Sequence, residues 1–359
     1  MKPHRIGLIA TNTWDDVFLR SHAFATELAR IGHTVFYIEP LTPCSRLARF
    51  ARLYTAFRPR QVSPRLSVLS PLFYFPLEIS RRHLWVNHAL TPIIRALFSR
   101  LHLTALLVQN PAFAQPVLSS KIPFVYDKVD DTHFFDGVLR DRVLKQIRSL
   151  QEASLFNSYI APSPAKADPK GVFVPNGVYP DELFPVSTGK SFDGVTLTSI
   201  AAWVDLDGLL EAKSRTVLIG PMINDGAAQR YRQYLQHGGD RCLWIPRVEK
   251  RMANLWLNLS HVGLVPFKMD HPVTQYAVPM KILEYFLCDL PVVSYWNPSI
   301  EELYGSFVVF YGGRHGQSRS LDEAIGTAMH QRNDYRSLAK GFAWGPIVAE
   351  FERRICEAI

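Results

Sequence analysis

Pro279-Met280-Lys281-Ile282-Leu283-Glu284-Tyr285-Phe286, followed by Cys288-Asp289-Leu290 and then Pro291-Val292-Val293-Ser294, is the segment from which the architecture can be worked out. Ile282, Leu283 and Phe286 recur at helical spacing, Pro279 suits a first helical turn, and the Pro-Val-Val run reads as a buried parallel strand. A short helix therefore feeds a core strand. The start of that helix presents unpaired N–H groups and the positive end of the dipole, and Lys281 adds a full charge beside them, which makes it a place for a phosphate. Glu284 lies three residues on, on the face of Lys281, and a carboxylate beside a phosphate pocket can accept hydrogen bonds from both hydroxyls of a ribose. Together they suggest a nucleotide grip. The competing reading is a surface helix with an i,i+3 ion pair between Lys281 and Glu284, in the order that opposes the dipole.

Outward from this segment, the same alternation continues. In the second half, residues 195–200, 216–219, 242–245, 261–265 and 291–294 read as strands separated by helical stretches, with a further strand expected over 303–311. In the first half, residues 6–10 form an apolar run, followed by a polar loop and a helix whose expected apolar face is Phe18, Leu19, Phe24, Leu28 and Ile31. Gly32 is the expected helix stop, and residues 35–38 make the next strand, which completes the strand–helix–strand unit of a parallel sheet. Residues 103–109, 123–127, 158–161 and 171–175 continue the series, with a helix expected over 141–156. The first turn carries no GxGxxG, so dinucleotide binding of the dehydrogenase kind is not supported.

The residues at Pro279, Lys281, Glu284, Tyr285 and Pro291-Val292-Val293 resemble the donor-domain motif of the GT-B glycosyltransferases that use sugar nucleotides, especially the family 4 and teichuronic-acid-type branches. That motif is a Pro-x-Lys-x-x-Glu-Tyr helix, a small-residue turn and Pro-Val-Val. Met280, Lys281 and Glu284 also look like the donor site of the bacterial glucuronosyltransferase GumK. The chain departs from the family 4 pattern at Tyr276, where many members have a second Glu eight residues before Glu284, and at Asp289, where the turn usually has Gly. The resemblance implies an α/β chain of two Rossmann-like domains facing each other across a cleft: an acceptor domain over 1–177, a nucleotide-sugar domain over 178–340, and a last helix within 341–359 crossing back to the first domain. Pro175-Asn176-Gly177-Val178 matches the turn that precedes the family's domain crossover.

The resemblance also implies the site. Lys281 and the helix start would neutralise charge on a leaving diphosphate, so no metal and no cofactor is implied beyond the nucleotide-sugar substrate. Glu284 would hold the ribose, and Met280 belongs to the same motif. Trp203 or Tyr276 would stack on the base, Arg247 would approach uracil or phosphate, and Gly220 follows a strand near the donor phosphates. Asn12, Asp15, Arg20 and His22 follow the first strand, in the loop and helix expected to touch the sugar or acceptor, although Asp15 or Asp16 could simply cap the helix. Beyond the tips of two later strands stand Asn110 and the polar run Asp127-Lys128-Val129-Asp130-Asp131-Thr132-His133. An inverting transferase needs a carboxylate to take the acceptor's proton, and Asp131, ahead of Asp130, is the candidate. Asp131 as a helix cap and Asp127 as a salt-bridge partner are the structural alternatives.

Composition bounds the rest. A chain of 359 residues suits two domains. Its four cysteines, Cys44, Cys242, Cys288 and Cys356, show no zinc or disulfide spacing and fit a reduced, cytoplasmic setting. No stretch approaches 18 uninterrupted apolar residues. The net charge of +8 is concentrated in residues 1–175, where 22 Lys/Arg face 12 Asp/Glu. Within residues 46–100 ten arginines face the single acid Glu78, among aromatics such as Phe50, Tyr54, Phe57 and Trp85. A helix over 46–57, with the apolar loop at 71–76, could lie on an anionic membrane surface, its arginine stems covering apolar surface and its heads reaching lipid phosphates. The reading is then a peripheral enzyme of the inner membrane that transfers a hexose or uronic acid from a nucleotide sugar, UDP-linked, to a lipid-carried glycan or polysaccharide. A GT-B-fold UDP-sugar epimerase would use the same grip without an acceptor. A basic nucleic-acid-binding protein would explain the charge alone, but no nucleic-acid motif is present.

Overall fold

The computed structural model describes residues 3–15, 17–40, 42–43, 58–70, 72–73, 85–129, 137–222, 229, 231, 241–271, 274, 276–313 and 319–359. The expected helix over 46–57 and most of the loop at 71–76 lie outside them. The chain divides into two compact units, Met1–Val174 with Trp344–Ile359, and Pro175–Ala343.

The first unit runs β1 (Arg5–Ile9), α1 (Arg20–Ile31), β2 (Thr34–Ile38), β3 (Arg60–Ser63), β4 (Leu66–Leu69), α2 (Trp85–Arg100), β5 (Ala105–Val108), α3 (Ala114–Ser120), β6 (Phe124–Lys128), α4 (Gly137–Ala153), β7 (Asn157–Tyr159), α5 (Pro162–Ala167) and β8 (Gly171–Phe173). The sheet order is β8-β7-β6-β5-β1-β2-β4-β3, and every pair is parallel except β3 with β4. Four of the five β1 residues and all of β5 are buried, as expected of parallel strands covered on both faces. Ile9, Ile38, Leu69 and Val108 pack with Ile94, Leu97 and Phe98 of α2 in one core.

Two points of the sequence reading are corrected here. The helix α1 begins at Arg20, so Phe18 and Leu19 precede it and are exposed, and Ile31 is also exposed, while Phe24 and Leu28 are fully buried. The β3–β4 hairpin is absent from the sequence reading because β3 is an exposed edge strand with no apolar alternation to mark it. Gly32 does end α1: its φ of 124° is one that a side chain rarely tolerates, and its N–H closes on the Ala29 carbonyl at 3.2 Å.

The second unit runs β9 (Phe192–Leu197), α6 (Leu206–Glu211), β10 (Thr216–Ile219), β11 (Cys242–Ile245), α7 (Lys250–Asn258), β12 (Ser260–Val265), α8 (Lys281–Leu287), β13 (Val292–Tyr295), α9 (Pro298–Tyr304), β14 (Val308–Tyr311), α10 (Leu321–Met329) and α11 (Tyr335–Lys340). All strands are parallel, in the order β11-β10-β9-β12-β13-β14. The strand expected from residue 303 starts only at Val308, because Leu303 and Tyr304 end α9. Asn297 caps that helix by accepting from the Ser299 and Ile300 N–H groups, and Pro298 occupies its first turn.

The last helix, α12 (Trp344–Ala358), packs on α1 of the first unit. Phe24 sits between Trp344 and Phe351, with ring centroids at 5.9 and 4.8 Å, and His33 meets Glu352 at 3.0 Å, both side chains buried. Burial lowers the His33 pKa against the opposing pull of Glu352.

Candidate functional site

In the second sheet β9 lies between β10 and β12, so the strand order reverses there. Open parallel sheets bind ligands beyond the carboxyl ends of the strands at such a point. The two tips that meet are residues 198–203 after β9 and 266–268 after β12. Backbone hydrogen bonds lace them together: Asp205 N–H to the Pro266 carbonyl at 2.8 Å and Lys268 N–H to the Trp203 carbonyl at 2.9 Å. Gly220, just past β10, has a φ of 149°, and a Cβ on it would stand 2.0 Å from the Thr198 carbonyl oxygen. Only glycine fits there, beside the β9 tip.

The helix α8 is fastened to this tip by Tyr285. Its buried hydroxyl accepts from the Leu197 N–H at 2.9 Å and donates to the Leu264 carbonyl at 3.2 Å, bridging β9 and β12 where they begin to part. A tyrosine so placed needs room, and Gly263 of β12 supplies it, since a Cβ there would meet the Tyr285 ring at 2.2 Å. Lys281 stands one turn before Tyr285, its ammonium 4.6 Å from the centroid of Phe267 at the β12 tip. Among the described residues no carboxylate lies within ion-pair distance of it. Desolvation lowers its pKa to about 7, with Glu284 pulling the other way from beyond ion-pair range. A half-buried cation with no carboxylate in ion-pair contact among the described residues can take an anion as its partner.

Glu284 does not pair with Lys281, which removes the reading of a plain i,i+3 pair. Its carboxylate accepts from Lys250 Nζ at 2.6 Å, and the same ammonium lies 3.1 Å from Glu182. Met280 occupies the cap position of α8, its carbonyl accepting from the Leu283 and Glu284 N–H groups. Trp203 is half-buried at the β9 tip, edge-on to His271 at 5.5 Å. Tyr276 is exposed, and Arg247 is exposed beyond β11. Lys250, Phe267 and Lys268 were not singled out by the sequence. Lys268 binds Asp207 at 2.9 Å and lies 3.7 Å from Asp205, whose carboxylate also takes the Tyr311 hydroxyl at 3.1 Å. Nothing local marks such pairs, because their members are 34 to 106 residues apart.

In the first unit the expected polar residues separate into two groups. Arg20 and His22 are buried. Arg20 forms a two-pronged pair with Asp127 at 2.9 and 3.0 Å, and Gln109 and Ser158 donate to the same carboxylate. His22 accepts from the Leu19 N–H at 3.0 Å and packs among Trp14, Phe18 and Tyr37. Asp127 is the salt-bridge partner that the sequence allowed for. Asn110 caps the short turn at Pro111–Phe113 by accepting from the Ala112 N–H at 3.0 Å. Asn12, partly exposed, accepts from the Ser21 hydroxyl at 2.7 Å, and Asp15 is exposed and paired with Arg60 at 3.0 Å. Asp130, Asp131 and His133 lie outside the described residues.

No family model matches the chain, and no curated protein matches it by sequence. Solved structures do. Sucrose-phosphate synthase from Thermosynechococcus elongatus matches with a TM-score of 0.78 at 13% identity, over 99% of this chain and 98% of that one. Trehalose 6-phosphate synthase from Burkholderia multivorans matches at 0.68 and 13% identity, over 99% of both chains. HepE of Anabaena, solved with UDP-glucose, matches at 0.68 and 10% identity, over 99% of this chain and 100% of that one. The fold is thus GT-B, two Rossmann-like domains in one chain.

Proposed function

We propose that the protein is a glycosyltransferase that moves a hexosyl or uronosyl unit from a nucleotide sugar, UDP-linked, to a lipid-carried glycan or polysaccharide at the inner face of the membrane. The observation that carries the reading is Lys281, a half-buried ammonium at the carboxyl-end switch point of the second sheet, with no carboxylate within ion-pair distance among the described residues. Lys281 binds the diphosphate and compensates the charge that grows on it as the sugar–phosphate bond breaks, without a metal ion. Glu284 accepts from the ribose hydroxyls, and Trp203, Tyr276 and Arg247 surround the base. The second unit is the donor domain and the first the acceptor domain, where Asp131 or Asp130 removes the acceptor's proton. The basic residues of 46–100 hold the first unit on anionic lipid. Structural neighbours solved with UDP, UDP-glucose or ADP support the nucleotide part of the reading. Among the described residues no helix is long and apolar enough to cross a membrane.

The test is calorimetric titration with UDP, then turnover of UDP-sugars with membrane extract as acceptor. Micromolar UDP binding that is weakened in Lys281→Ala is expected. Wild-type protein that binds neither UDP nor ADP would end the proposal.

A further inference from the structure

Glu284 is held from one side. Its Oε1 accepts from Lys250 Nζ at 2.6 Å, and Lys250 also reaches Glu182 Oε2 at 3.1 Å. Lys250 opens α7, and α7 is itself tied on two sides. Asn254 Oδ1 accepts from the Phe184 N–H at 3.1 Å and Asn258 Oδ1 from the Val186 N–H at 2.7 Å, which fixes the chain just past Glu182. Toward α8, Cys288 donates its Sγ–H to Asn254 Oδ1 at 3.3 Å. The ammonium is therefore delivered to Glu284 from an anchored helix start. Desolvation pulls the Lys250 pKa down, but Glu284 and Glu182 outweigh it and hold the pKa above the ordinary lysine value. Lys281, three residues earlier on the same helix, already feels the Glu284 charge and is of the type that pairs at i,i+3.

We propose that Lys250 is a positioning residue of the donor site: it binds one oxygen of Glu284, turns the other toward the ribose, and keeps Glu284 from pairing with Lys281. This rests on the nucleotide reading of Lys281 and Glu284 given above. Lys250 itself touches no substrate. It acts by dividing the charges, giving Glu284 a counter-ion of its own so that Lys281 stays available to the diphosphate.

The experiment compares UDP with 2′,3′-dideoxy-UDP by calorimetry on the full chain. Wild-type protein should prefer UDP by about tenfold or more, the scale of hydrogen bonds from ribose to a charged acceptor. Glu284→Gln should remove most of that preference. Lys250→Met should cut it to roughly threefold or less and should also weaken UDP binding, while Lys250→Arg restores most of both. A merely structural lysine would weaken the two nucleotides equally or not at all. Hence a full preference in Lys250→Met, alongside its loss in Glu284→Gln, overturns the role of Lys250 and leaves the nucleotide reading standing. A preference that survives Glu284→Gln, or is missing from wild type, overturns the ribose reading and the proposal with it. Exposed pairs contribute little stability and the Lys250 side chain is 42% exposed, so the variants should fold. Should Lys250→Met not fold, Lys250→Gln carries the same readout.

Discussion

Lys281 should make UDP binding take up a proton. In the free protein its pKa is lowered to about 7, because the ammonium is desolvated against Phe267 and has no ion-pair partner among the described residues. A bound diphosphate restores the missing counter-charge and returns the pKa toward the ordinary lysine value of about 10.4. At pH 8 roughly nine molecules in ten then start neutral and end charged, so about 0.9 proton is taken up per UDP bound; at pH 6 the share falls to about 0.1. The sign follows: the contribution of Lys281 to affinity is full below pH 7 and falls by up to about tenfold per pH unit above it. In the ligand-free protein the same lowered pKa means that the unfolded chain binds more protons between pH 7 and 10, so stability rises with pH across that window. The assay is calorimetry at pH 8 in buffers of different ionisation enthalpy, where the diphosphate is already ionised and the slope of apparent enthalpy reads the proton count. Lys281→Met should bring the slope near zero and lose roughly 1.5–3 kcal/mol of affinity, the range for hydrogen bonds to charged groups. A slope of zero in wild type, with affinity unchanged in Lys281→Met, would refute the reasoning.

Three further outcomes are expected. Asp131→Asn, or failing that Asp130→Asn, should lose roughly 10²–10⁴-fold in turnover with UDP affinity intact, as removal of a general base does, and near-normal turnover in the double variant would move the base elsewhere. Co-sedimentation with anionic liposomes should fall with added salt and with Arg46, Arg49 and Arg52 changed together to Ser; equal binding to neutral vesicles would remove the membrane surface from the account. Arg20→Met should cost about 3–5 kcal/mol of stability in denaturant unfolding, because it leaves the Asp127 carboxylate buried without its counter-ion, and a loss under about 1 kcal/mol would show that the pair is not a structural one.

The parallel α/β character was legible in the sequence because strands buried on both faces must be apolar along their length, and the runs at 6–9, 35–38, 216–219 and 292–294 could hardly be anything else. The helix of Lys281 and Glu284 was legible too, since its spacing, its proline and the following Pro-Val-Val are local signals. What failed was what local pattern does not encode. The apolar Phe18 and Leu19 look helical yet precede α1, and Leu303-Tyr304 look like a strand yet close a capped helix. The partners of charges needed the tertiary structure. Arg20 reaches Asp127 across 107 positions, Tyr285 reaches Leu197 across 88, and Lys250 takes Glu284 across 34. A charge or hydroxyl is satisfied by whatever the folded chain brings within about 3 Å, and composition records only that the groups exist. That Lys281 stands at the start of a helix before a core strand can be read from the residues around it, whereas the fold alone separates it from Glu284, because the carboxylate nearest to it in the chain belongs in space to Lys250.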